Sequence, residues 1–230
     1  MNLELFIARR IAHNGSGNRT GVMVRIAVVA VALSVTVMIL ALAVIMGFKR
    51  EITDRVTGFS AQVEVADLRS AGSIESVPVL RSEQLERTIR SAGEVVRLTP
   101  YAVKGGVVKT PDAILGVMLK GVDGGYEWSF FRDHLLEGEL PRVGDSIRTK
   151  EILIYRSVAR EMGLVPGDKV EMLFVESEKS PRRDRFKVSG IYATGMDEFD
   201  RSVAITDLRN VQRLADWSSE EVSGYEVTRS

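Results

Sequence analysis

Between Ile26 and Phe48 the chain reads IAVVAVALSVTVMILALAVIMGF, 23 residues without one ionisable side chain. At about 1.5 Å rise per residue a helix of this length reaches roughly 34 Å, enough for a hydrocarbon core of about 30 Å. Its polar side chains are Ser34 and Thr36, whose hydroxyls can bond back to carbonyls one turn earlier. A core helix rarely stays apolar on every face over such a length. A cleaved signal peptide would be shorter and lead into small residues at a cleavage site, whereas Lys49 and Arg50 follow here. The run is read as one retained transmembrane helix over 26–48, dividing the chain into 1–25, the span, and 49–230.

Charge is balanced overall, 31 basic against 31 acidic residues, but unevenly laid out. Residues 1–25 carry Arg9, Arg10, Arg19 and Arg25 against Glu4, while residues 49–230 hold 27 basic and 30 acidic side chains. A slightly acidic domain is a poor match for nucleic acid, which selects clustered Lys and Arg. The absence of cysteine excludes a disulfide framework, a thiol nucleophile and a Cys-ligated zinc site. Counting Lys and Arg close to the span leans towards a cytoplasmic N-terminus, four residues against three. In MNLELFIARRIA, Leu3, Phe6, Ile7 and Ile11 fall at helical spacing, as expected of a short amphipathic helix in the membrane interface.

The 182 residues of 49–230 suffice for one sizeable core. AQVEVAD alternates as a strand, and RSEQLERTIRS reads as a helix with Ser82 as N-cap. Strands are expected over 95–110 and 113–123, joined by a turn at Pro111-Asp112. EILIY, KVEMLFV, DRFKVSGIYAT (with a bulge at Gly190) and SVAIT supply further strands, and SVAREMG a short helix. TDLRNVQRLADW predicts a helix capped by Thr206, with Leu208, Val211 and Leu214 on one face. SGYEVTRS reads as a last strand leaving the domain. Strands and short helices intermix without βαβ spacing, so the class is α+β.

Catalytic signatures do not emerge. There is no phosphate-cradling P-loop, and GVDGGYEW lacks the helix-opening pattern of a dinucleotide fingerprint, so it reads as a turn. His13 and His134 stand apart from any metal-ligand spacing. Asp197, Glu198 and Asp200 in GMDEFDR do not have the twelve-residue pattern of an EF-hand and read as a solvated connection. ESEKSPRRDR is a charged hairpin tip.

Taken in order, FIARRI, AVIMGFKREI, VMLKGVD, VAREMGLVPGDKV, RFKVSGIYATGMDEFD, VAITDLRNVQRL and VSGYEV resemble the N-terminal half of an ABC transporter permease of the FtsX/MacB superfamily. Within it the sequence is most similar to the lipoprotein-releasing (LolC/LolE-type) permeases. The resemblance implies an α+β extracytoplasmic domain with a two-lobed MacB-like periplasmic core, preceded by one transmembrane helix. It implies an inner-membrane location, a cytoplasmic N-terminus and a periplasmic main domain. Partners would be a cytoplasmic ABC ATPase, which binds ATP and Mg, a second permease subunit in a homo- or heterodimer, a lipoprotein substrate and a periplasmic carrier. This chain would need no cofactor of its own and would not itself be an enzyme. The span would line a lipid-accepting cavity, with Leu42, Ile45, Met46 and Phe48 against acyl chains, soft apolar groups that suit varied lipids.

The resemblance also has departures. Family members carry three further spans after the external domain, so the chain is expected to be a fragment of a longer protein. Where one permease type carries a long carrier-recruiting hook, this sequence has the short ESEKSPRRD, leaving Arg182, Arg183 and Arg185 to meet an acidic partner. Two alternatives share the same external fold: a MacB-type mechanotransmission efflux permease, and an FtsX-like permease that regulates a cell-wall hydrolase.

Overall fold

The computed structural model describes residues 3, 6, 7, 10, 19–59, 63–70, 76–93, 95–110, 113–144, 146–176, 179–195 and 202–229. The chain divides into two units, Met1–Asp54 and Arg55–Ser230.

The first unit is dominated by helix α1, Arg19–Phe59. Its stretch Gly21–Lys49 is long and apolar enough to cross a membrane. Ser34 and Thr36 donate to the carbonyls of Ala30 and Ala32 at 2.9 and 2.8 Å, so both hydroxyls are satisfied within the helix. At Phe48–Lys49 the composition changes but the helix does not stop: Lys49, Arg50 and Glu51 are good helix formers, and no proline intervenes.

The second unit is built on strands β1 (Val63–Ala66), β2 (Val79–Leu80), β3 (Val95–Lys109), β4 (Ile114–Val122), β5 (Leu135–Gly138), β6 (Glu151–Tyr155), β7 (Lys169–Glu176), β8 (Lys179–Tyr192), β9 (Val203–Asp207), β10 (Glu221–Val222) and β11 (Gly224–Arg229). Short helices α2 (Glu83–Ser91), α3 (Ser129–Asp133), α4 (Arg156–Met162) and α5 (Leu208–Leu214) intervene. Parallel pairs (β4 with β9, β6 with β8) mix with antiparallel ones, so the class is α+β.

Pairing closes a circuit. β3 pairs with β4, β4 with β9, β9 with β6, β6 with β8, β8 with β7, and β7 returns to β3 from Val107↔Leu173 to Lys109↔Glu171. Six strands thus satisfy one another's backbone groups in a ring, which removes edges that would otherwise pair with another chain. Alternate residues fill it: Val108, Val117, Leu119, Met172, Phe174, Phe186 and Val188 are all buried. α5 packs on β4, where a Cβ at Gly121 would stand 2.8 Å from Leu208 Cα.

Most sequence expectations hold in this unit. Ser82 caps α2 by accepting from Leu85 N–H at 3.1 Å. The bulge falls at Ser189–Gly190, where the register passes from Ile152↔Val188 to Leu153↔Gly190. α5 buries Leu208, Val211 and Leu214. Its cap, however, is Asp207, the residue directly before Leu208, which accepts from Arg209 N–H, while Thr206 stands one residue further back and donates to Glu151 O at 2.8 Å. The last strand is found as β11, and it lies between β1 and β3 in the sheet. The charged tip is largely strand, since β8 begins at Lys179 and Arg182 to Arg185 are already paired with β7.

Candidate functional site

On α1, Leu42, Ile45 and Met46 follow i, i+3, i+4 spacing and share a face, with Phe48 at its border three residues beyond Ile45. All four are exposed. Side chains of this kind can contact lipid or another apolar helix, and they have no charge to hold them in water.

The three arginines do not form one patch. Alternation along β8 turns Arg182, Asp184, Phe186 and Val188 to the inside of the ring and Arg183 and Arg185 to the outside. Arg182 donates to Asp216 Oδ2 at 2.5 Å and to the Arg213 carbonyl at 3.0 Å, bracing β8 against the C-terminus of α5. Asp216 has φ of 59°, a left-handed conformation suited to the residue after a helix. Arg183 and Arg185 lie 3.6 and 3.5 Å from Glu171 across the hairpin and are exposed.

Sequence reading passed over Asp184. It is buried, and its carboxylate receives Lys150 Nζ, an Arg213 guanidinium N–H and its neighbour's Arg185 N–H. Burial opposes its ionisation, but the hydrogen bonds from Lys150 and Arg185 and the Arg213 charge outweigh it and hold the carboxyl below its ordinary value. The signal was present: counting back by two from Phe186 reaches Asp184 on the inward phase.

A second ionic centre ties β4 to β11 across β3. Lys120 Nζ on β4 reaches over Tyr101 to Glu226 Oε1 of β11 at 2.5 Å, and lies 5.4 Å from the Tyr126 ring centroid. Glu64 of β1 stands directly opposite Glu226. Burial and then the Glu226 charge push the Glu64 carboxyl up, and Lys120 offsets them in part. His134 is structural: its Nδ1 lies 2.8 Å from the Phe130 carbonyl and its ring stacks on Phe130. Asp197, Glu198 and Asp200 lie outside the described residues, as does most of the amphipathic segment within 1–25.

The sequence pattern of the MacB-like periplasmic core domain matches residues 26–228. The chain belongs to this family. Similar proteins include the lipoprotein-releasing system transmembrane protein LolC of Xylella fastidiosa strain Temecula1, 27% identical over 181 residues, which are 75% of this chain and 41% of that protein. LolC of Xylella fastidiosa strain 9a5c is 26% identical over 183 residues, with the same shares covered. The MacB-like chain thus spans about two-fifths of the length of these relatives. Among solved structures, the periplasmic region of MacB from Actinobacillus actinomycetemcomitans aligns over 73% of this chain and 72% of that one, with 14% identity and a TM-score of 0.45. The extracellular domain of the ABC-type transporter YknZ from Gram-positive bacteria aligns over 70% and 76%, also with 14% identity and a TM-score of 0.45. A membrane-crossing helix followed by a domain of this family makes the chain a membrane protein with an extracytoplasmic domain.

Proposed function

We propose that this MacB-like chain is part of a permease subunit of an ABC transporter that releases lipoproteins from the inner membrane for transfer to the outer membrane. One observation carries the reading: an uncharged span that leads into a MacB-like core, in a sequence 27% identical to LolC over 181 residues. In this account the N-terminus is cytoplasmic and the domain periplasmic. Leu42, Ile45, Met46 and Phe48 present an apolar face to lipid-anchored substrate, where desolvation of acyl chains is the driving term. A cytoplasmic ATPase binds ATP and Mg and hydrolyses the nucleotide, and a second permease subunit completes the transport path.

The long strand β3 links the two ends of the domain. One end pairs with β11 and the other with β4 and β7. In this account a periplasmic carrier receives the released lipoprotein from the extracytoplasmic domain. Depleting the protein in cells tests the reading: triacylated lipoproteins should accumulate in the inner-membrane fraction. Normal lipoprotein sorting, with lost efflux or lost cell-wall hydrolysis, would favour the MacB-type or FtsX-like alternative.

A further inference from the structure

β1 is an edge strand held lightly. It stands at the end of the sheet and pairs with β11, from Val63↔Val227 to Ala66↔Gly224. Within β1 only Val65 is even partly buried, so the strand adds little apolar contact to the core. Its seat is close all the same: a Cβ at Gly224 would collide with the Val65 carbonyl oxygen, and glycine there lets the two backbones meet. Within this short ladder Glu64 stands directly opposite Glu226, and partners in register share a face. Like charges so placed are about 4.5–5.5 Å apart at Cβ and oppose the pairing.

The surroundings answer that opposition only in part. Lys120 of β4 donates to Glu226 Oε1 at 2.5 Å. Tyr101 of β3 and Tyr126 beyond β4 offer rings to the same ammonium, and burial pushes the Tyr126 hydroxyl up, which keeps it neutral. Arg97 of β3 is paired with Glu127 at 2.5 Å, and Asp67 beyond β1 with Arg69 at 2.9 Å. Thr99, across from Glu226 on β3, carries no charge. Among these groups two carboxylates share one cation, and a proton on Glu64 balances them. Burial and then the Glu226 charge raise the Glu64 carboxyl, in agreement with that geometry.

We infer that Glu64 and Glu226 form a proton-sensitive latch: mild acid holds β1 on β11, and rising pH lets the strand open and bare the backbone edge of β11. A paired Glu64 keeps its proton more readily than an opened one, so closing takes up a proton and opening releases it. The hold is fully present below the ordinary carboxyl value and is lost as pH rises through the higher value of the closed strand. β1 buries so little that one carboxyl suffices to shift the balance. Opening uncovers backbone N–H and C=O groups along 224–227, the kind of edge that accepts another strand. The latch goes beyond the permease reading and does not depend on it.

Hydrogen exchange read by mass spectrometry tests this on the full chain in detergent, from about pH 7.5 to about pH 4.5 and corrected for intrinsic exchange. Peptides covering 63–66 and 224–227 should gain several-fold in protection as pH falls, while β6 and β9 stay protected at every pH over the same labelling times. Glu64→Gln, neutral and of the same shape, should keep β1 protected throughout and abolish the pH dependence. Gly224→Ala should leave 63–66 exchanging freely at every pH. Protection of these segments that ignores pH in the native chain, or that still follows it in Glu64→Gln, overturns the inference. So does exchange of β6 and β9 in step with β1, which would make the response one of the whole domain.

Discussion

Lys120 Nζ lies 2.5 Å from Glu226 Oε1, although β3 runs between their two strands. Both side chains are 13% exposed, and Glu64 is the next residue across from Glu226. Replacing Lys120 by Met leaves two neighbouring carboxylates with no cation, at a cost of about 3 kcal/mol. Lys120→Met with Glu226→Leu should cost much less than the single change. Thermal unfolding of the two variants in detergent checks the order, and equal losses would mean that Lys120 acts through packing alone.

The pH dependence combines opposite signs. Asp184 and Asp207 are held below their ordinary values: burial opposes this, but Lys150 and the Arg185 N–H for one, and Arg209 with the Gly144 N–H for the other, outweigh it. Their stabilisation is present above the unfolded carboxyl value of about 3.9 and is lost as pH falls through the lower folded values. Glu64 is raised, so its ionised form is unfavourable in the fold, and acidification through its folded value relieves the repulsion. Stability should hold or rise from neutral pH into mild acid and then fall. Glu64→Gln should reduce the mild-acid gain, to which Asp123, pushed up chiefly by burial, also contributes, and keep the later loss, as read from denaturation midpoints across pH.

Gly121→Ala is predicted to loosen α5 from β4. The added Cβ would stand 2.8 Å from Leu208 Cα and 2.9 Å from Val211 Cγ2, and the first of these is backbone that cannot rotate away. A loss of about 2 kcal/mol is expected. Gly116→Ala, with open space around it, should be neutral by the same measurement.

A photoreactive side chain at position 42, 45 or 46 should cross-link to acylated protein in the native membrane complex, and one at Phe48 should do so less, since it borders that face. Cross-links to phospholipid alone at all four positions would assign the face to bulk bilayer.

Much of this arrangement was legible because it depends on local pattern. The uncharged run from Ile26 to Phe48 announced its helix, and the strand-like runs at 95–110 and 113–123 announced β3 and β4. Ring closure was not legible, because pairing of Lys109 with Glu171 joins residues far apart in sequence. Thr206 was read as the cap one residue too early: both residue types suit that role, and the helix start at Leu208 gives it to Asp207. The separation of Arg182 from Arg183 and Arg185 needed the start of β8, which a run of charges concealed. Asp184 was overlooked because a carboxylate at a strand's inward position is exceptional unless cations donate to it, and the two that do, Lys150 and Arg213, are distant in sequence.

The most direct measurement is purification of the native complex containing this chain in mild detergent, with mass spectrometry of every retained protein and lipid-modified peptide. The account predicts an ABC ATPase and triacylated lipoproteins, with the lipoproteins released on adding ATP and Mg. An ATPase with an adaptor and an outer-membrane channel, or with a cell-wall hydrolase, and no lipoproteins would contradict it.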